Sequence, residues 1–140
     1  MRAVYLNRKK EKGMELVFIV TCLILIEYMV FGFLVGKARA KYNVPAPATS
    51  GDPIFERYWR VHQNTLEQLV IFLPSMLMFA YLANPTYAAV AGVLFFVGRL
   101  LYLRGYVSDP GSRGPGFLIG FVATVFVLIG SLVHAVMSLL

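Results

Sequence analysis

One cysteine, Cys22, stands in 140 residues. A lone thiol excludes an intrachain disulfide and supplies no thiolate pair for a metal, and inside an apolar run it reads as a small buried hydrophobe rather than a redox centre. Charge is scarce too. Asp, Glu, Lys and Arg make up 14% of the chain while 59% is hydrophobic, a balance that excludes an ordinary soluble domain and leaves room for about four spans of about 20 residues. Acids number 7 against 13 Lys and Arg. The basic residues sit in loops and at helix ends beside apolar runs, the pattern that flanks membrane spans and not one that tracks a nucleic-acid backbone. His134, near the far end of the last run, has no partner at metal-ligand spacing and reads as an interfacial or packing residue.

What is present is a set of four apolar runs, at about residues 15–36, 55–83, 87–106 and 115–140. The expected fold is therefore an all-α membrane protein, a four-transmembrane-helix bundle occupying residues 14–140. Ahead of it, residues 1–13 form a polar leader with Arg2, Arg8, Lys9, Lys10 and Lys12 against the single acid Glu11. Met14 directly precedes the first run, so the leader reads as an upstream start, non-native or disordered, and no small-residue cleavage site makes it a signal peptide. Lys37–Ile54 is expected to be a loop, since Pro45, Pro47 and Pro53 forbid a continuous helix. Asp52-Pro53 marks the next helix start, with Asp52 as N-cap. Pro74 is expected to bend the second span. Asn84-Pro85-Thr86 is a tight turn that makes the second and third spans antiparallel neighbours. Gly116, Gly120, Thr124 and Gly130 suit close packing of the fourth span.

The polar residues inside these spans carry the functional signal. At 100° per residue, Arg57, Arg60, Asn64 and Glu67 fall within an arc of about 80° on the second helix, a face that must meet protein or a polar ligand and not lipid. Arg99, Tyr102 and Tyr106, at i, i+3 and i+7, put a second such face at the end of the third span, with Arg113 in the following turn. With four spans, the loops at 37–54 and 107–114 share one side, so the clusters converge there. Arg39, Arg57, Arg60, Asn64, Glu67, Arg99, Tyr102, Tyr106 and Arg113 are the expected walls of a partly buried pocket. A ligand with carboxylates, amides and an amine satisfies that mixture, whereas a simple phosphate has no need of the Glu. Glu27, an acid within the first span, is expected to pair with Arg99 in a structural contact between helices. Its rival reading is the proton site of a small exporter.

The run Phe55-Glu56-Arg57-x-x-Arg60-Val61-His62-x-Asn64-x-x-Glu67, followed by Arg99-x-x-Tyr102-x-x-Gly105-Tyr106 and Arg113, resembles the MAPEG family of microsomal glutathione transferases and eicosanoid synthases, a bacterial-type member being expected. The resemblance covers most of the chain from Met14 onward. It implies a homotrimer of four-helix subunits that binds glutathione as co-substrate between neighbouring subunits near the cytosolic surface, with no metal. By that resemblance Arg39, Arg60, His62, Asn64, Glu67, Tyr102 and Tyr106 bind glutathione and Arg113 stabilises its thiolate, while Glu27, Arg57 and Arg99 are supporting. His62 lies well round the helix from Asn64, and a site shared between subunits reconciles the two. Thr65 and Gln68 stand where some eicosanoid-forming members carry Cys and Tyr, a departure from the leukotriene-forming pattern.

The expected activity is conjugation of glutathione to lipophilic electrophiles arriving from the membrane, with peroxidase activity on lipid hydroperoxides beside it. Two alternatives stand: a non-catalytic lipid-presenting protein, like the lipoxygenase-activating member of the family, and an exporter using Glu27. A presenter has no need of a thiolate-stabilising Arg113.

Overall fold

The computed structural model describes residues 2–140, with side chains from residue 11 onward. It is an all-helical bundle of α1 (Arg2–Lys41), α2 (Pro53–Leu82), α3 (Pro85–Ser108) and α4 (Gly114–Met137), with a 3₁₀ turn at Pro110–Arg113 ahead of α4. Each of the four helices is long and apolar enough to cross a membrane. Their outer faces expose large hydrophobics along their length, among them Phe18, Ile26, Phe33, Val70, Val90, Leu118 and Leu132. An apolar surface of that extent belongs against acyl chains, and the protein is a multi-pass integral membrane protein.

Local chemistry sets the helix ends. Asp52 caps α2 by accepting from the amides of Ile54 and Phe55 at 2.8 and 3.0 Å, with Pro53 in the first turn. Asn84 does the same for α3, accepting from Thr86 and Tyr87 at 2.9 and 3.2 Å. Only Ala83 and Asn84 separate α2 from α3, so these helices run antiparallel. The loop expected from Lys37 is shorter than expected, because α1 continues to Lys41. Nothing before Pro45 breaks it, Arg39 and Lys41 complement its C-terminal dipole, and Asn43 turns the chain at φ 53°, a left-handed conformation that Asn tolerates. α2 continues as helix through Pro74. Of the leader expected at residues 1–13, the side chains of residues 1–10 lie outside the described residues; Gly13 is buried, and a Cβ there would meet Pro85 at 2.7 Å.

Packing centres on α3, which touches the other three helices. The main apolar cluster joins Val17, Val20 and Ile24 of α1, Leu69, Phe72 and Met76 of α2, Phe95 of α3 and Val127 of α4. A second, smaller cluster joins Phe31, Val61 and Tyr102. Between the two lie the buried polar residues Glu27, Thr65 and Arg99. At the α3–α4 seam, a Cβ on Gly116 would collide with the backbone of Leu101 and Tyr102, and one on Gly98 would stand 2.8 Å from the Gly120 amide. Glycine at both positions is what lets the two backbones touch.

Candidate functional site

A pocket of about 590 Å³ opens where the start of α2, the end of α3 and the start of α4 meet, lined by Arg60, Asn64, Tyr102, Tyr106, Gly111, Arg113, Gly114 and Phe117. Five of these, Arg60, Asn64, Tyr102, Tyr106 and Arg113, are residues that the sequence nominated. The antiparallel run of α2 and α3 is what joins positions some forty residues apart, and Arg57 fastens the junction: its guanidinium donates to the carbonyls of Val107 and Ser108 at 3.0 and 3.1 Å. Arg57, expected among the walls of the pocket, instead holds the end of α3 and does not line the cavity.

Arg113 ends the 3₁₀ turn and donates to the Pro110 carbonyl, with its guanidinium 5.7 Å from the centroid of Tyr106. The turn lies directly on α3, since a Cβ on Gly105 would run into the Ser112 carbonyl. Ser112 ties it internally through its amide to the Asp109 carbonyl at 2.9 Å and its hydroxyl to the Asp109 carboxylate at 3.1 Å. Tyr102 and Tyr106 stand side by side with ring centroids 5.5 Å apart. On the opposite wall Asn64 donates to Glu67 at 3.3 Å, and Arg60 lies 3.9 Å from the same carboxylate. Both partners of that ion pair are more than half exposed, so it contributes little stability and leaves both side chains free to turn to a ligand. The Asn64 carbonyl oxygen is buried with no donor among the described residues.

Arg57 apart, five nominated residues lie outside the cavity lining: Glu67, beside Arg60 and Asn64, and, farther off, Arg39, His62, Glu27 and Arg99. Arg39 does not join the pocket: it donates to the carbonyls of Val44 and Ala48 at 3.1 and 2.7 Å and lies over the Phe55 and Trp59 rings, where it organises the first loop. His62 faces α1, stacked on Tyr28 with centroids 4.4 Å apart and planes 8° from parallel, and its Nδ1 is buried without a partner. That orientation, away from Asn64, follows from the helical spacing. Glu27 and Arg99, expected to pair in a structural contact between helices, attract each other electrostatically but share no hydrogen bond. Two of the Arg99 donors go to Thr65, at 3.2 and 2.7 Å, and among the described residues both Glu27 carboxylate oxygens lack a hydrogen-bond partner. Arg99 also sits beneath Tyr102, not beside it on the cavity wall.

The sequence reading missed Phe117, Gly111 and Gly114 as lining residues and the place of Thr65 as an acceptor. For Thr65 a signal existed. A hydroxyl one residue after Asn64 and at buried helical spacing from Val61 and Leu69 needs a polar partner.

The sequence pattern of the MAPEG family matches residues 17–133. Microsomal glutathione S-transferase 2 of Homo sapiens is 37% identical over 103 residues, covering 73% of this chain and 70% of that protein. An uncharacterized protein of Synechocystis sp. is 41% identical over 121 residues, covering 86% and 88%, and leukotriene C4 synthase of Rattus norvegicus is 33% identical over 94 residues, covering 67% and 63%.

Proposed function

The chain belongs to the MAPEG family, and on that premise we propose that it is a membrane-embedded glutathione transferase that joins glutathione thiolate to lipophilic electrophiles. One observation carries the reading: two arginines, an amide with an unpartnered carbonyl and two phenols line one cavity that opens beside apolar helix surfaces. Glutathione offers carboxylates to Arg60, peptide N–H groups to Asn64, an amine to Glu67 and a thiol to Arg113. Its thiol, like that of cysteine, has a pKa near 8.5, so a few per cent is nucleophilic at neutral pH. Lowering it by about two units takes about 2.7 kcal/mol, within reach of one guanidinium in a site screened from water. Arg113 takes this role, with Tyr102 or Tyr106 donating to the sulfur.

The thiolate then attacks the electrophilic carbon, forming the carbon–sulfur bond as the leaving group departs or a strained ring opens. On a lipid hydroperoxide it attacks the distal oxygen, the O–O bond breaks to release the lipid alcohol and leave a glutathione sulfenic acid, and the thiol of a second glutathione attacks that sulfur to give the disulfide and water. Such activities suit detoxification. In a homotrimer, Arg39 and His62 of one subunit complete the site of its neighbour, which accounts for their distance from the cavity within one chain. The loops that carry the site face the cytosol.

The test is purified protein in lipid vesicles, given glutathione and a panel of lipophilic electrophiles, with conjugates read by mass spectrometry. Conjugate formation supports the transferase. Glutathione binding with no conjugate or thiolate points to a lipid presenter, and proton-coupled efflux abolished by Glu27→Gln, with Arg113→Ala harmless, points to an exporter.

A further inference from the structure

Behind the Tyr102 wall of the pocket lies a buried polar layer that the proposed chemistry leaves unused. Arg99 and Thr65 are each 1% exposed. The Thr65 hydroxyl donates to the Val61 carbonyl at 2.7 Å, and its oxygen accepts from Nε and Nη2 of Arg99 at 3.2 and 2.7 Å. A hydroxyl has one proton and two lone pairs. With the proton committed to Val61, both lone pairs serve one guanidinium, so the group is saturated and its orientation is set. The Arg99 carbon then lies 4.1 Å from the centroid of Tyr102, a cation–π distance. Tyr102 is itself 4% exposed, yet it lines the cavity. Apolar residues close the layer on both sides, Ile24, Leu69 and Phe95 on one and Phe31 and Val61 on the other. Water is therefore a poor substitute for any lost partner.

We propose that Thr65 and Arg99 are positioning residues for glutathione: the Thr65 hydroxyl fixes the plane of Arg99, and Arg99 fixes the Tyr102 ring as a binding wall of the pocket, Tyr106 being the donor to the sulfur. The inference rests on the reading of this pocket as a glutathione site. A valine at position 65 keeps the shape and removes both the proton and the lone pairs, whereas a serine keeps the hydroxyl and loses a methyl. Arg99→Lys keeps the charge and loses the planar fork that reaches one oxygen twice.

The test is steady-state kinetics on the full protein in vesicles, with glutathione and 1-chloro-2,4-dinitrobenzene, for wild type, Thr65→Val, Thr65→Ser, Arg99→Lys and the Thr65→Val/Arg99→Lys double variant. The expected result is a rise of about tenfold in the glutathione KM for Thr65→Val and Arg99→Lys, the size of effect that follows loss of a hydrogen bond to a charged group. kcat at saturating glutathione changes by less than about threefold. Thr65→Ser stays within about twofold of wild type, and the double variant is no worse than Arg99→Lys alone, since Thr65 acts only through Arg99. A Thr65→Val KM equal to wild type, a Thr65→Ser defect as large as that of Thr65→Val, or an equal fall in kcat would overturn the proposal. If Thr65→Val does not fold, Arg99→Lys and Thr65→Ser decide it by the same KM criterion. Wild-type protein that neither binds nor conjugates glutathione overturns the glutathione reading itself, and this inference with it.

Discussion

Asn64 donates to Glu67 at 3.3 Å while its own carbonyl oxygen is buried without a donor among the described residues. A buried acceptor without a donor costs stability, and the residue that carries it lines the cavity. Asn64→Leu should therefore weaken glutathione binding by about tenfold or more while leaving thermal stability unchanged or slightly raised. Isothermal calorimetry and thermal unfolding in the same detergent check both halves. A matched loss of binding and stability would make Asn64 a structural residue instead.

The α3–α4 seam gives a prediction with an internal control. A Cβ on Gly116 meets the backbone of Leu101 and Tyr102, while one on Gly36 meets nothing within 4 Å. Gly116→Ala must push the helices apart beneath the pocket, at a cost of about 1–3 kcal/mol, and Gly36→Ala should be close to neutral in the isolated subunit. Unfolding followed by proteolysis distinguishes them, and equal behaviour of the two variants would rule out this account of the seam.

These residues also mark what could be read in advance. Four helices followed from run length, and the Asp52 cap followed from a side chain that accepts two amides just ahead of a proline. Convergence of Arg60, Asn64, Tyr102, Tyr106 and Arg113 followed from two polar faces and the parity of the spans. Helical spacing, however, places a side chain on a face without saying which of two acceptors a long arginine takes. Arg99 turned to Thr65 and not to Glu27, and Arg39 turned back on its own loop carbonyls. The first choice depends on distances of a few ångströms between different helices and the second on the path of the loop after α1, and helical spacing encodes neither.

The end of α1 with Arg39 and Lys41, the end of α3 with Arg104 and the following turn with Arg113 carry the charge of cytosolic segments. On a Cys22→Ser background, cysteines placed at the exposed positions Ala48 and Ser112 should react with an impermeant maleimide only from the cytosolic side. Labelling from the outer side alone would invert the proposed topology.

Shared sites make a prediction that cross-linking alone cannot. If Arg39 of one subunit serves the pocket that holds Arg113 of its neighbour, then Arg39→Ala and Arg113→Ala homotrimers are each impaired, yet trimers assembled from an equal mixture regain intact sites. Random assembly restores roughly a quarter of them. Recovery of conjugation after mixed co-expression, with native mass spectrometry confirming three subunits, is the expected outcome. No recovery in mixed trimers would confine the site to one chain.

The central claim is that Arg113 stabilises a thiolate in the pocket it shares with Tyr102 and Tyr106, and ultraviolet difference spectroscopy of bound glutathione near 240 nm, titrated with pH, tests it directly. Wild type should show thiolate absorbance with a midpoint about two units below that of free glutathione. Arg113→Ala should still bind glutathione through Arg60, Asn64 and Tyr102 but lose the shifted absorbance, with conjugation slowed by roughly 10²-fold or more. A thiolate signal of unchanged size and midpoint in Arg113→Ala would contradict the account.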